Sequence, residues 1–342
     1  LPTLDTISDY RVFYHARSRP QFTAAPNVRL NVSITPCHHR LERLTFGGEV
    51  ARHRLDVLHS PDFIPPLFGA HRMIITIHDL NFLLYPQFQT ADSLCYYAGQ
   101  IQAAVRRAAH ILADSQATKA DIVERLNVPP DKVTVHRLGV DPAFRPLPVE
   151  LVEAVRARLG LPSSYVLFVG TFEPRKNLPG LLNAYALLRG REAATPPLII
   201  AGRRGWLYEG IFQEVRRLKL ETAVKWLENV DFADLPAVYN GAAVVTLPSF
   251  YEGFGFPPLE AMACGVPTVV SDRGSLPEVV GDTGLLIDPD SPDMLADALH
   301  RALTDSAFRA RSREAGLARA ATFTWRHTAE TVLKVYQQMP GS

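Results

Sequence analysis

Short runs of β-branched and other apolar residues alternate with amphipathic stretches along nearly the whole chain. Few folds accept that alternation, because it calls for parallel strands covered by crossover helices. In the first half it predicts strands at residues 10–14, 28–34, 57–59, 73–77, 110–113 and 133–136, with helices at 95–109 and 116–126. The second half repeats the scheme, with strands at 165–169, 198–201, 224–226, 243–247, 267–270 and 285–287 and helices at 178–188, 211–219 and 258–264. Only helices follow, at 292–303, 307–320 and 325–338. The segment DPAFRPLP, residues 141–148, carries three prolines between the two series and reads as a linker. The expected organisation is therefore an α/β chain of two domains, 1–148 and 149–324. The terminal helix, 325–342, is free to return to the first domain because no strand follows it.

The length of 342 residues supports two domains, since single cores stop growing near ~250–300 residues. With 47% hydrophobic and 21% charged residues the chain can bury a sizeable core without staples. Lys and Arg (36) nearly balance Asp and Glu (35), which argues against a nucleic-acid partner. Three cysteines, Cys37, Cys95 and Cys264, without metal-ligand spacing fit a reducing compartment and hence a cytoplasmic protein. No stretch approaches the ~20 apolar residues of a membrane span, which is compatible with peripheral contact at the inner face of a membrane.

The sequence YVLFVGTFEPRKNL predicts a buried strand, a loop presenting Arg175 and Lys176, and a helix starting near Asn177. Two cations before a helix N-terminus suit a diphosphate, which the guanidinium grips through its planar fork while the ammonium adds a compact charge. Alone, the pair also suits a solvated helix start. The stretch SFYEGFGFPPLE after the apolar strand is more demanding. It places Glu252 in a loop and Glu260, eight positions on, in the first turn of a short helix that opens at Pro258 and is capped by Gly265. Gly253 and Gly255, flanking Phe254, let backbone N–H groups approach a ligand, and a carboxylate can accept hydrogen bonds from vicinal hydroxyls. One glutamate can hold a ribose while the other holds a transferred sugar. Paired acid and base work, as in glycosidases, is an alternative whose required separation the spacing does not fix.

His78 ends the apolar strand 73–77, where parallel sheets place ligands, and has a titration range suited to hydrogen bonding or proton transfer. A histidine at a strand end also suits a packing role, and Asp79 reads as a turn or cap residue. Arg203, in the turn GRRGW after the strand 198–201, can add a third positive contact to phosphate or be a solvated turn. No GxxxxGK[ST], GxSxG or HExxH pattern occurs, and the His38-His39 pair lacks further ligands at metal spacing. No metal or other cofactor is expected, because Arg175 and Lys176 can take the role of a divalent cation.

Together these stretches, from VLHSPDFIPP through TIHDLNFLLYP, ADSQATKADIVERL, VGTFEPRKNL and SFYEGFGFPPLEAMACGVPTVVSD to FTWRHTAETVLKVY, resemble the retaining glycosyltransferases of family 4. That resemblance implies the GT-B fold, two Rossmann-like domains with parallel sheets across a cleft, and a donor-binding second domain. It implies that Arg175 and Lys176 bind the diphosphate and that Glu260 holds the nucleotide ribose. Glu252 and the amides near Phe254 and Gly255 would hold the donor sugar, and His78 would be the active-site histidine of the acceptor-side domain. The implied reaction moves a hexose from a nucleotide-sugar to a glycan or lipid-linked acceptor with retention, by front-face attack in which the departing phosphate accepts the proton. The HDL and EPRKNL variants are similar to members using GDP-mannose, with a UDP-sugar the other donor considered. Members also begin with a strand, a glycine-rich loop and a helix that nothing before Tyr10 matches, so either the chain is truncated or the first domain lacks that unit, and a missing central strand would expose sheet edges. Another GT-B enzyme, such as an epimerase or an inverting transferase, and a catalytically silent nucleotide-sugar-binding protein are the competing readings.

Overall fold

The computed structural model describes residues 1–17, 25–35, 41–192 and 194–339. Cys37 and the His38-His39 pair lie outside them. The chain forms two compact units: Leu1–Leu80 with Asp92–Arg137 and Trp325–Ser342, and Asn81–Ala91 with Leu138–Thr324. The division falls between Arg137 and Leu138, ahead of the proline-rich segment ending at Pro148, and the short stretch after Leu80 joins the second unit.

The described residues of the first unit form two parallel sheets. Among the described residues, strands β1 (Tyr10–His15) and β2 (Val28–Ser33) pair only with each other. Strands β3 (Leu55–Ser60), β4 (Ala70–Ile77), β5 (His110–Ala113) and β6 (Val133–Val135) form a separate sheet in chain order. Residues Ile74, Ile75, Ile77, Ile111 and Leu112 are fully buried, as strands covered on both faces require. The terminal helix Trp325–Gln337 packs on this unit, with Val332 and Val335 against Ile74 and Leu112. A helix at Glu42–Ala51 was not legible from periodicity. It contains the weak helix formers Gly47 and Gly48, and a Cβ on Gly47 would lie 3.1 Å from the Phe68 carbonyl oxygen, so close packing explains a glycine that propensity disfavours.

The second unit is built on β7 (Val166–Val169), β8 (Leu198–Gly202), β9 (Val224–Glu228), β10 (Val244–Leu247), β11 (Thr268–Ser271) and β12 (Leu285–Ile287). Their spatial order is β9-β8-β7-β10-β11-β12, all parallel. The series runs outward from β7 in one direction, then restarts at β10 in the other. That is the doubly wound order, and the loops leaving the carboxyl ends of β7 and β10 meet at its switch point. A buried cluster containing Phe168, Phe172, Leu181, Tyr185, Ile200 and Val269 lies on one side of this sheet framework. A second cluster, with Leu167, Ile199, Tyr239, Val245 and Leu259, completes the layered core.

Candidate active site

The loop after β7 carries Glu173, Arg175 and Lys176, and the loop after β10 carries Ser249 and Glu252; the switch point brings them together. Lys176 Nζ donates to Glu252 Oε1 at 2.7 Å and Arg175 Nη1 to Glu252 Oε2 at 2.7 Å. Ser249 Oγ adds a bond to Glu252 Oε1 at 2.6 Å, and Arg175 Nη2 donates to Glu173 Oε1 at 2.6 Å. All four charged groups are largely out of water, with side-chain exposures of 13% for Arg175, 10% for Lys176, 8% for Glu252 and 4% for Glu173. Two cations and two carboxylates thus form a buried network in which each charge has an opposite partner, the condition under which buried ions are tolerated.

Burial favours the neutral form of Glu252, but Arg175, Lys176 and Ser249 together outweigh it and bring the pKa down to about 2. Glu173 keeps a raised pKa because its burial outweighs the attraction of Arg175 and Lys176. Asn177 starts the helix Leu178–Arg191 behind the cations: it adopts φ 55° and its Oδ1 accepts from the Gly180 N–H at 3.2 Å.

The Glu252 loop is held from behind. Ser275 N–H donates to the Glu252 carbonyl at 3.1 Å, and Ser275 Oγ lies 2.9 Å from that oxygen and 2.5 Å from the Phe254 carbonyl. Gly274, at φ 57°, lets the chain pass where a Cβ would sit 2.6 Å from the Glu252 carbonyl oxygen. Tyr85, from the stretch Asn81–Ala91, donates to the Phe250 carbonyl at 3.1 Å, and Phe88 stacks on Phe250 with centroids 5.3 Å apart.

Gly255 caps the next helix at φ 106°. That helix runs Phe256–Ala263, so it opens two residues before the expected Pro258, with Pro257 in the first turn and Glu260 in the second. Proline is tolerated throughout a first turn that needs no N–H donors, which is why Pro258 did not mark the start. Gly265, at φ 74°, closes it with the Gly265 N–H to Met262 O and Val266 N–H to Ala261 O bonds of a Schellman motif. Phe254 is buried against Phe256 and Phe323, and Gly253 is buried as well.

Glu260 Oε2 accepts from the hydroxyl of Tyr239 at 2.6 Å. Burial, assisted by Asp141, pushes its pKa up to about 7 although Tyr239 pulls the other way. Arg203 is exposed beyond β8, while its neighbour Arg204 is paired with Glu228 at 2.8 Å. The structure therefore unites Arg175, Lys176 and Glu252, holds Glu260 through Tyr239, and leaves the Arg203 side chain in solvent.

In the first unit His78 follows β4. Its Nδ1 lies 2.8 Å from Asp114 Oδ2 and its Nε2 lies 2.9 Å from the Pro61 carbonyl oxygen. Both neighbours are acceptors, so both ring nitrogens carry protons, and the Asp114 hydrogen bond raises the pKa to about 9. His78 is therefore an imidazolium near neutral pH, because residues after β3 and β5 clamp the one after β4. Asp114 is 4% exposed, with His136 Nε2 3.6 Å from its other oxygen. His59, between Tyr336 Oη at 2.6 Å and Thr76 Oγ1 at 2.8 Å, is pulled down by burial to about 4.

Glu173, Asp114 and Tyr239 join the sites beyond the residues that the sequence motifs mark. Glu173 stands two residues before Arg175 in the EPRK stretch, and Asp114 follows a strand next to that of His78, so both had a positional signal. Tyr239 is 21 positions from Glu260 and had none. Among the described residues no group of three or more His, Cys, Asp or Glu is arranged to hold a metal ion, and no helix is long and apolar enough to cross a membrane.

Residues 153–319 match the family model described as glycosyl transferases group 1, and residues 9–144 that described as glycosyltransferase family 4. The O-antigen chain mannosyltransferase B of Escherichia coli is 35% identical over 82% of this chain and 74% of its own. The serotype-specific mannosyltransferase WbdA of Escherichia coli is 28% identical over 79% of this chain, which spans only 33% of that longer protein. Among solved structures, Anabaena HepE in complex with UDP and glucose is similar with a TM-score of 0.73 at 22% identity, covering 91% of this chain and 85% of that one.

Proposed function

The chain belongs to glycosyltransferase family 4 and has the GT-B fold, and we propose that it moves mannose from GDP-mannose to a hydroxyl of a glycan or lipid-linked acceptor with retained configuration. The observation that carries this reading is the quartet at the switch point of the second unit, where Arg175 and Lys176 share Glu252. An arriving nucleoside diphosphate offers both cations new anionic partners. Glu252 is then released to accept hydrogen bonds from sugar hydroxyls, and Glu260 receives the ribose. The cations stabilise the charge that grows on the departing diphosphate, and their effect is largest in the transition state. In this scheme the phosphate oxygen accepts the acceptor's proton, so no side chain acts as base. The pKa of about 9 at His78 supports that assignment, since an imidazolium cannot take up a proton. Its role is that of a positive donor, with a substrate oxygen replacing the Pro61 carbonyl at Nε2.

Mannose is favoured over other hexoses by the names of the relatives, two of which are mannosyltransferases. HepE, crystallised with UDP and glucose, keeps a UDP-sugar as the second donor to test. The test is turnover of GDP-, UDP- and ADP-sugars, with the anomeric configuration of the product read by proton NMR. GDP-mannose as best donor, an α product and unchanged rate in EDTA are expected. A β product, or strict metal dependence, would overturn the mechanism.

A further inference from the structure

Tyr239 is a large, fully buried side chain in the core of the second unit, yet it ends in a polar group. Its ring packs edge-on against Phe144 with centroids 5.5 Å apart, a contact that phenylalanine would make equally well. A buried hydroxyl is costly unless it is hydrogen-bonded. This one donates to Glu260 Oε2 at 2.6 Å, across from the helix Leu235–Asn240 to the helix Phe256–Ala263. The short distance is that of a charge-assisted bond. Glu260 Oε1 has no hydrogen-bond partner among the described residues. One oxygen of the carboxylate is thus fixed from inside the core and the other is left for a ligand.

We propose that Tyr239 is a positioning residue of the donor site, holding Glu260 so that Oε1 is presented to the vicinal hydroxyls of the nucleotide ribose. This rests on the reading of Glu260 as the ribose ligand. A carboxylate with two free rotamers would pay their entropy on binding, whereas one anchored through Oε2 is already oriented. The groups facing Glu260 are Tyr239, Asp141 from the segment before the helix Val149–Leu159, and Cys264 one turn along its own helix. Of these only the tyrosine hydroxyl favours the ionised carboxylate; Asp141 opposes it, and the Cys264 thiol is pushed up to about 12, so it stays neutral. Removing the hydroxyl therefore weakens nucleotide binding and moves its acid limb toward higher pH.

The experiment compares wild type, Tyr239→Phe, Glu260→Gln and the double variant, titrated with GDP and UDP by calorimetry between pH 6 and 9, with melting curves as a fold control. Tyr239→Phe is expected to raise the Kd for the nucleotide about tenfold, consistent with loss of one charge-assisted hydrogen bond, and to shift the acid limb upward. Saturating kcat should change far less than KM. In Glu260→Gln the limb should vanish, and adding Tyr239→Phe should cost less than it does in wild type, because the tyrosine acts through the carboxylate. Unchanged affinity and limb in Tyr239→Phe, with Glu260→Gln impaired, would overturn the positioning role. Unchanged affinity in Glu260→Gln would instead overturn the ribose reading on which it rests.

Discussion

The two units present polar residues at the same place, the carboxyl ends of parallel strands, but they balance charge in opposite ways. In the second unit the loops after β7 and β10 bury two cations and two carboxylates that neutralise each other through Glu252. In the first, the residues after β4 and β5 form a single clamped pair, His78 and Asp114, with the neighbouring His59 and His136 held toward their neutral forms by burial. The lesson is that one topological rule locates both sites while local electrostatics decides their chemistry. A network with interchangeable partners can hand its cations to an anionic ligand. A histidine whose two nitrogens both face acceptors can only donate.

The contrast is broken most sharply at Glu252. Glu252→Gln removes the shared anion and is expected to reduce kcat by about 100-fold or more, a size typical of lost transition-state contacts. It also leaves Arg175 and Lys176 with weaker partners, so the melting temperature should fall, and the fall should shrink as the pH is lowered toward 2, where wild-type Glu252 is itself protonated. The sign follows from its depressed pKa, which contributes stability above about 4.5 that is lost as pH falls toward about 2.

Replacing Arg175 and Lys176 together by alanine should weaken GDP or UDP binding by about 10–100-fold in calorimetry, since charge-assisted bonds worth ~1.5–3 kcal/mol each are lost but are partly offset by the Glu252 contacts that the cations give up on binding. The same change would leave Glu252 a buried carboxylate without cations and should raise its pKa.

In the first unit Asp114→Asn should drop the His78 pKa from about 9 toward 6.5, read by NMR titration of the ring. The wild-type pair stabilises the fold fully below about 6.5 and loses that contribution as the pH rises through about 9, so the variant's stability deficit should fade at high pH. An unmoved His78 titration would show that Asp114 does not control it.

The smallest effect is expected at Glu260. Its raised pKa means that the ionised form is strained in the folded protein, a cost that grows as the pH rises from 4.5 and is complete above about 7. Glu260→Gln should therefore raise the melting temperature at pH 8 by a few degrees, on the order of 1 kcal/mol, and change it little at pH 5. Equal shifts at both pH values would contradict the raised pKa.

The strands and the switch-point motifs were legible because they are local: Val166–Val169 and Val244–Leu247 are apolar runs, and Arg175, Lys176 and Glu252 follow them directly. The helix Glu42–Ala51 was not, because its two glycines oppose helix formation and only tertiary contact with Phe68 explains Gly47. The state of His78 was hidden for a similar reason. Asp114 and Pro61 lie 36 and 17 positions away, and only the pairing of neighbouring strands brings them to its ring. The start of the Phe256–Ala263 helix was misplaced because two consecutive prolines are both compatible with a first turn.

The role assigned to the loops after β7 and β10 is to receive a nucleoside diphosphate. It is tested most directly by calorimetric titration of GDP and UDP into wild type and the Arg175→Ala/Lys176→Ala variant at pH 8. One nucleotide should bind wild type with heat and lose at least about tenfold in affinity in the variant, with a shallower salt dependence. Equal affinity and equal salt dependence in both proteins would contradict it.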